Sequence, residues 1–113
     1  MKFNNTKNNR GFSKLYWVIG DKLTPYTLSV YYLIKSFDGY DYFDLTIRQI
    51  AKRTGMSPGK AHESFKKLKQ MGIVKLSKKT GYYEGDEYDI CDEDVCQNLD
   101  PEYTYNKMRK KLM

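Results

Sequence analysis

The chain has 113 residues, of which 40% are hydrophobic and 30% charged, with a formal net charge of +6 at pH 7. This apolar content is enough for one domain with a modest core and excludes a disordered chain. The longest apolar run, Leu15 to Ile19, is far shorter than the roughly 20 residues that a membrane-spanning helix needs. Two cysteines are too few for a disulfide framework, and the first ten residues lack the apolar region of a signal peptide. We therefore expect a cytoplasmic protein.

The charges fall into two blocks of opposite sign. Residues 45–81 contain ten basic residues and one acidic residue, Glu63, which is a net charge of +9. Residues 84–102 contain nine acidic residues and no basic residue, which is a net charge of −9. A basic block is expected of a surface that binds phosphate groups, whereas taken alone it could equally be a solvated charged face.

The first 35 or so residues predict an arm, an ambiguous apolar segment and a helix. Residues 1–11 are polar and rich in asparagine, which is typical of a flexible arm. Such an arm could follow a phosphate backbone, or it could be a flexible terminus with no role in binding. Residues 12–23 are densely apolar and fit either a helix or a strand, with Trp17 expected in the core or against a second copy. Thr24 and Pro25 are typical of the cap and the first residue of a helix, which we predict to continue through Phe37.

The stretch 46–72 predicts two helices joined by a tight turn. Thr46 can cap the first helix, and Gly55 can end it because glycine adopts the left-handed conformation without a steric penalty. Ser57 and Pro58 are typical of the cap and the first residue of the second helix. Apolar residues recur at helical spacing and are expected to face each other and the helix that begins at Pro25: Ile47, Ile50, Ala51, Ala61, Phe65 and Leu68.

The remainder of the chain predicts a hairpin and a helical extension. Two short alternating runs, residues 73–76 and 87–90, flank a polar loop that contains glycine, which is the pattern of a β-hairpin. Residues 92–113 are predicted to form a C-terminal helical extension, ending in a helix over residues 102–112. The predicted organisation is thus a flexible arm (1–11), a folded domain (12–91) and this extension (92–113).

These elements resemble the winged helix-turn-helix domains of bacterial, phage and plasmid DNA-binding proteins, over residues 23–90. IRQIAKRTGMS (47–57) is similar to the usual turn, in which Ala51 permits close helix contact and Gly55 makes the turn. SPGKAHESFKKLKQMGIV (57–74) resembles the usual recognition helix. The resemblance implies a mainly α winged helix-turn-helix fold, with a three-helix core, a small β-hairpin wing and an extra C-terminal helix. It also implies that the second helix of the pair enters the major groove of DNA.

In that binding mode, the outward arc of the second helix supplies the base contacts. Lys60 and His62 can donate to purine acceptors, and Glu63 can accept from the amino group of cytosine. Basic and hydroxyl side chains near helix starts, on flanking surfaces and on the wing are expected to contact the DNA backbone: Arg48, Arg53, Ser57, Lys66, Lys67, Lys69, Lys78 and Lys79. Because the second wing strand is acidic, only the Lys78–Lys79 side of the wing is expected to approach DNA.

We therefore expect sequence-specific binding of double-stranded DNA at the nucleoid, with a transcriptional regulator as the leading hypothesis. A centromere-binding adaptor in plasmid or phage DNA partition, or a replication-initiation module, would use the same surface. A third hypothesis is a protein–protein interaction module of the same fold that does not bind DNA. The sequence shows no catalytic constellation, so we expect no enzymatic activity, metal or cofactor.

The expected partners beyond DNA are a second copy and another protein. Small DNA-binding domains usually gain specificity when two copies read two half-sites, so we expect a homodimer. The candidate dimer surfaces are residues 12–19 and the last helix. The acidic segment 84–102, or the C-terminal tail, could recruit a protein partner.

Overall fold

The structure, a computed structural model, describes residues 1–5, 17–37, 40–82, 85–92 and 95. Its helices pack against one face of a four-stranded sheet around a single core. The elements in chain order are β1 (Lys2–Asn4), α1 (Trp17–Gly20), α2 (Pro25–Lys35), β2 (Tyr42–Asp44), α3 (Ile47–Thr54), α4 (Pro58–Met71), β3 (Val74–Lys78) and β4 (Glu87–Ile90).

The starts of the three main helices are where the sequence predicts them. Thr24 and Ser57 cap α2 and α4, and each is followed by a proline at the first helical position. At the start of α3, Thr46 Oγ1 accepts from the Gln49 N–H at 3.1 Å, and Gln49 Oε1 accepts from the Thr46 N–H at 2.8 Å. This reciprocal pair satisfies two donors that have no partner within the helix.

The helix ends are also set by local sequence. Gly55, with φ of 74°, and Gly72, with φ of 81°, adopt the left-handed conformation and end α3 and α4. A side chain at either position would strain the backbone. Only α2 differs from the prediction, because it ends at Lys35 and not at Phe37.

The helix faces that the sequence predicts to be apolar form the core. The α4 residues Ala61, Phe65 and Leu68 are completely buried, and α2 and α3 pack directly on α4. Ala51 of α3 is buried as well. The predicted three-helix core is therefore present.

Strand β1 shows that the predicted flexible arm is wrong for residues 1–5. β1 pairs antiparallel with β2 and parallel with β4, so it is an inner strand in the order β2-β1-β4-β3. Phe3 is completely buried, and its ring centroid lies 5.0 Å from that of Phe43 and 5.9 Å from those of Tyr88 and Phe65. The segment is polar on average, but it contains one aromatic side chain, Phe3, that can point to the inner face of a sheet. The rest of the predicted arm lies outside the described residues.

The predicted hairpin is present as β3 and β4, but it is part of a larger sheet. Across the outer face of the sheet, one row of paired positions alternates in charge: Asp44, Lys2, Glu87 and Lys78. In the next row, Asp89 lies opposite Lys75 and accepts from Asn4 Nδ2 at 3.1 Å. The acidic residues of β4 are therefore balanced by neighbours within the sheet.

Packing continues past the domain boundary that was predicted after residue 91. The Asp92 carboxylate is completely buried, with Oδ2 3.0 Å from Lys35 Nζ and 2.8 Å from the Tyr31 hydroxyl that donates to it. Val95 is also in the core. The folded unit thus includes residues from both predicted flanking segments, because their side chains fill positions between the helices and the sheet.

Two further predictions fall largely on parts of the chain that the structure does not describe. The helix predicted over residues 102–112 lies outside the described residues, as do residues 12–16 of the candidate dimer surface and the side chain of Trp17. Ile19, at the other end of that surface, is completely buried in the core of the chain. Within the described ranges, no helix is long and apolar enough to cross a membrane.

Candidate nucleic-acid interface

The centre of the solvent-facing side of α4 is a row of four exposed residues. Residues three and four apart share one face of a helix, which groups Gly59, Glu63, Lys66 and Gln70. Gly59 leaves the first turn open, so the row begins in effect at Glu63. Gln70 was not among the predicted site residues, although its spacing from Lys66 would have identified it. Its amide can pair with adenine, as the Glu63 carboxylate can with cytosine.

One flank of this row faces α2. Lys60 and Lys67 lie on this flank, beside a groove of about 570 Å³ between α4 and the N-terminal part of α2. Lys60 Nζ lies 4.9 Å from the centroid of the Tyr26 ring and 3.5 Å from Glu63 Oε2. Two of the predicted base-contact residues, Lys60 and Glu63, are therefore brought together and interact with each other. Tyr26 and Lys22 also line the groove, and sequence reasoning missed them because only the packing of α2 on α4 brings them there.

The other flank faces the sheet and carries His62 and Lys69. Lys69 Nζ lies 5.4 Å from the ring centroid of Phe65 and 5.8 Å from that of Tyr88, so the aliphatic part of Lys69 covers the edge of the core. His62 is exposed. The three predicted base-contact residues are therefore divided between the two flanks and the centre of α4, with His62 apart from the Lys60–Glu63 pair.

The predicted backbone contacts near α3 are on two different surfaces. Arg48 is exposed in the first turn of α3, and Ser57 caps the start of α4. Ser57 Oγ accepts from the Lys60 N–H at 3.2 Å, which leaves its hydroxyl hydrogen available to a phosphate oxygen. Arg53 lines a second groove, between α2 and α3, and its guanidinium lies 5.5 Å from the centroid of the Phe37 ring. Arg53 therefore lies on a different surface from the exposed residues of α4.

The wing presents its basic residues at the end of β3. Lys78 and Lys79 are exposed, and Lys78 lies opposite Glu87 in the ladder. Asp86 is buried, and its Oδ1 accepts from the Thr80 N–H at 2.9 Å, so this acidic side chain organises the loop and does not project from it. Tyr82 is 70% exposed in the same loop. The Lys78–Lys79 end therefore remains the part of the wing that suits an anionic partner.

The charge of α4 contrasts with that of the outer face of the sheet. α4 has four lysines and one glutamate, a net charge of +3, whereas the sheet alternates positive and negative side chains. In the part of the chain that the structure describes, no group of His, Cys, Asp and Glu residues could hold a metal ion. The exposed helix with its excess positive charge is the surface best suited to a polyanion.

Comparison with known proteins supports this reading for part of the chain. Neither curated proteins nor solved structures give a match to the chain. Residues 44–75, or 32 of the 113 residues, match a family described as winged helix-turn-helix DNA-binding. The matched segment begins at the last residue of β2, contains all of α3 and α4, and ends in β3. The segment that forms the α3–α4 pair and the start of the wing is therefore similar to winged helix-turn-helix DNA-binding domains, which supports double-stranded DNA as the partner.

Proposed function

We propose that the protein binds double-stranded DNA at specific sequences through α4 and acts as a transcriptional regulator without enzymatic activity. The observation that carries this proposal is the exposed row Glu63, Lys66 and Gln70, on a helix of net charge +3 within the segment that matches DNA-binding domains. An α-helix fits the major groove, which is about 12 Å wide. Glu63 and Gln70 would then read base edges, while Lys66 would contact phosphate.

The remaining basic side chains would position α4 on the duplex. Arg48 and Ser57, at the starts of α3 and α4, can donate to phosphates on one side of the groove. Lys78 and Lys79 extend from the wing. Lys67 and Lys69 lie on either side of the exposed row on α4. Such contacts raise affinity for every sequence, whereas the base contacts of α4 distinguish one sequence from another.

The direct test is to incubate the purified full-length protein with random duplexes and sequence the fragments that it retains. We expect one short sequence to be enriched. The enriched sequence is then located in the genome that encodes the protein. A single palindrome near a promoter would support a regulator, and clustered repeats would favour the partition or replication role. Retention without enrichment of any sequence would contradict sequence-specific binding.

Replacing Lys66 by alanine should weaken binding to all duplexes and reduce the slope of log K against log salt by about one unit. The reason is that one fewer phosphate is neutralised, and therefore one fewer counterion is released. The measurement is a salt titration of binding by fluorescence anisotropy. Lys2→Ala is the matched control, because it removes the same charge from the outer face of the sheet, on the side away from α4. An unchanged slope in Lys66→Ala would remove Lys66 from the phosphate contacts.

We further propose that two copies bind one site, since a single domain of this size buries only about 600–1,000 Å² on DNA. Sedimentation of the protein with and without its selected duplex measures this directly. We expect two protomers for each duplex. A one-to-one complex at saturating protein would contradict the dimer.

A further inference from the structure

We propose that Tyr26, on α2, is a positioning residue that determines the base preference of α4. Its ring shares the Lys60 ammonium with Glu63. This sharing weakens the hold of Lys60 on the Glu63 carboxylate and makes the carboxylate a better acceptor for the amino group of a cytosine. This inference rests on the DNA-binding function proposed above, and it names a residue outside the segment that matches DNA-binding domains.

The Lys60 ammonium lies between two attractive groups. Its Nζ is 3.5 Å from Glu63 Oε2 and 4.9 Å from the centroid of the Tyr26 ring. The Lys60 and Glu63 side chains are 43% and 73% exposed, so solvent screens their ion pair strongly. The negative face of an aromatic ring attracts an ammonium with comparable strength at such a site. Tyr26 therefore competes effectively with Glu63 for the same cation.

The groove beside Tyr26 determines where Lys60 goes when the ring is absent. Lys60 itself lines the groove, together with Glu63 and three further lysines that repel its ammonium: Lys22, Lys66 and Lys67. The Tyr26 ring compensates for that repulsion. Without the ring, the Lys60 side chain is driven toward Glu63, the nearest acidic group that it contacts. The carboxylate is then neutralised and becomes a poorer acceptor for cytosine.

Tyr26 can be replaced without damage to the core. Its side chain is 52% exposed and is not among the buried residues of α2. The position of the ring is set by the start of α2, where Pro25 follows the Thr24 cap. Because Tyr26 is partly exposed and not part of the cap, Tyr26→Leu should fold normally, which thermal unfolding can check.

The test uses the full-length protein and its selected duplex, with each base pair varied in turn. Glu63→Gln first identifies the position at which a cytosine preference depends on the carboxylate. At that position, Tyr26→Leu should lower the cytosine preference about two- to fivefold, the range of a cation–π contact at an exposed site. Tyr26→Phe keeps the ring and should restore the preference. In a Lys60→Ala background, Tyr26→Leu should have no further effect, because no ammonium is left to compete.

Three results would overturn the inference while the proposed function stands. The first is a wild-type protein that binds DNA together with a Glu63→Gln variant that has the same cytosine preference at every position. The second is a Tyr26→Leu variant with the wild-type preference, or with an equal loss at every duplex. The third is an equal effect of Tyr26→Leu with and without Lys60. By contrast, a wild-type protein that shows no salt-sensitive binding to any duplex would overturn both the proposed function and this inference.

Discussion

Replacing Asp92 by alanine is expected to lower the free energy of unfolding by about 3–5 kcal/mol. Asp92 is completely buried, and the side chain of its partner Lys35 is only 4% exposed. The carboxylate lies 3.0 Å from the Lys35 ammonium and accepts the Tyr31 hydroxyl at 2.8 Å. Truncation would leave a buried ammonium without this carboxylate, and the cost of burying such a charge is much larger than the net strength of the ion pair.

Urea denaturation of the wild type and of five variants, including Asp92→Ala, would test this origin of the loss. Tyr31→Phe removes one hydrogen bond to a charged group and should cost about 1.5–3 kcal/mol. Lys35→Met and Asp92→Leu should each be strongly destabilising, whereas the double variant should recover most of the loss because two apolar side chains replace the pair. A loss below about 1 kcal/mol in Asp92→Ala would show that the pair does not anchor the segment after β4 to α2.

Replacing Phe3 by alanine is expected to lower the free energy of unfolding by about 3–5 kcal/mol. The Phe3 ring lies between those of Phe43 and Tyr88 and contacts Phe65 of α4 edge-on. Removing it would leave a cavity where the sheet meets the helix that carries the candidate interface. The loss would combine the transfer free energy of the ring with the cost of that cavity.

The same denaturation measurement distinguishes an inner strand from a flexible arm. Lys2→Ala, one residue away on the outer face, should change stability by less than about 0.5–1 kcal/mol because its ion pair with Glu87 is exposed. Phe3→Leu should cost less than Phe3→Ala, since leucine fills part of the space. If Phe3→Ala were as stable as the wild type, the amino-terminal segment would not form part of the core, and the pairing of β1 with β4 would be contradicted.

Much of the candidate site could be predicted from sequence because a helix relates residues that are close along the chain. The 3.6-residue period places Glu63 and Lys66 on the solvent face of α4, and the same period would have added Gln70. The contacts of these residues with other elements could not be predicted in this way. Tyr26 is 34 positions before Lys60, and only the packing of α2 on α4 brings the two side chains together.

The acidic segment shows the same limit more strongly. The sequence predicts a surface for a protein partner at residues 84–102, yet the described acidic residues interact within the chain. Asp92 is buried with Lys35, Asp86 binds the Thr80 N–H, and Glu87 pairs with Lys2. Composition reports the density of charge, but the free energy of each charge depends on its neighbours in space. A partner at the described part of this segment would therefore have to compete with existing contacts.

The sequence by itself determined the helix-turn-helix pair. Thr46, Gly55 and Ser57 act within three or four residues of their own positions, so their capping hydrogen bonds and left-handed turns follow from local chemistry. Only the tertiary structure decided that Phe3 belongs to an inner strand and that Asp92 anchors to α2. Both depend on pairing between segments more than 50 residues apart, such as Phe3 with Tyr88 and Lys35 with Asp92. The periodicity of a local sequence does not predict which distant segment it will pair with.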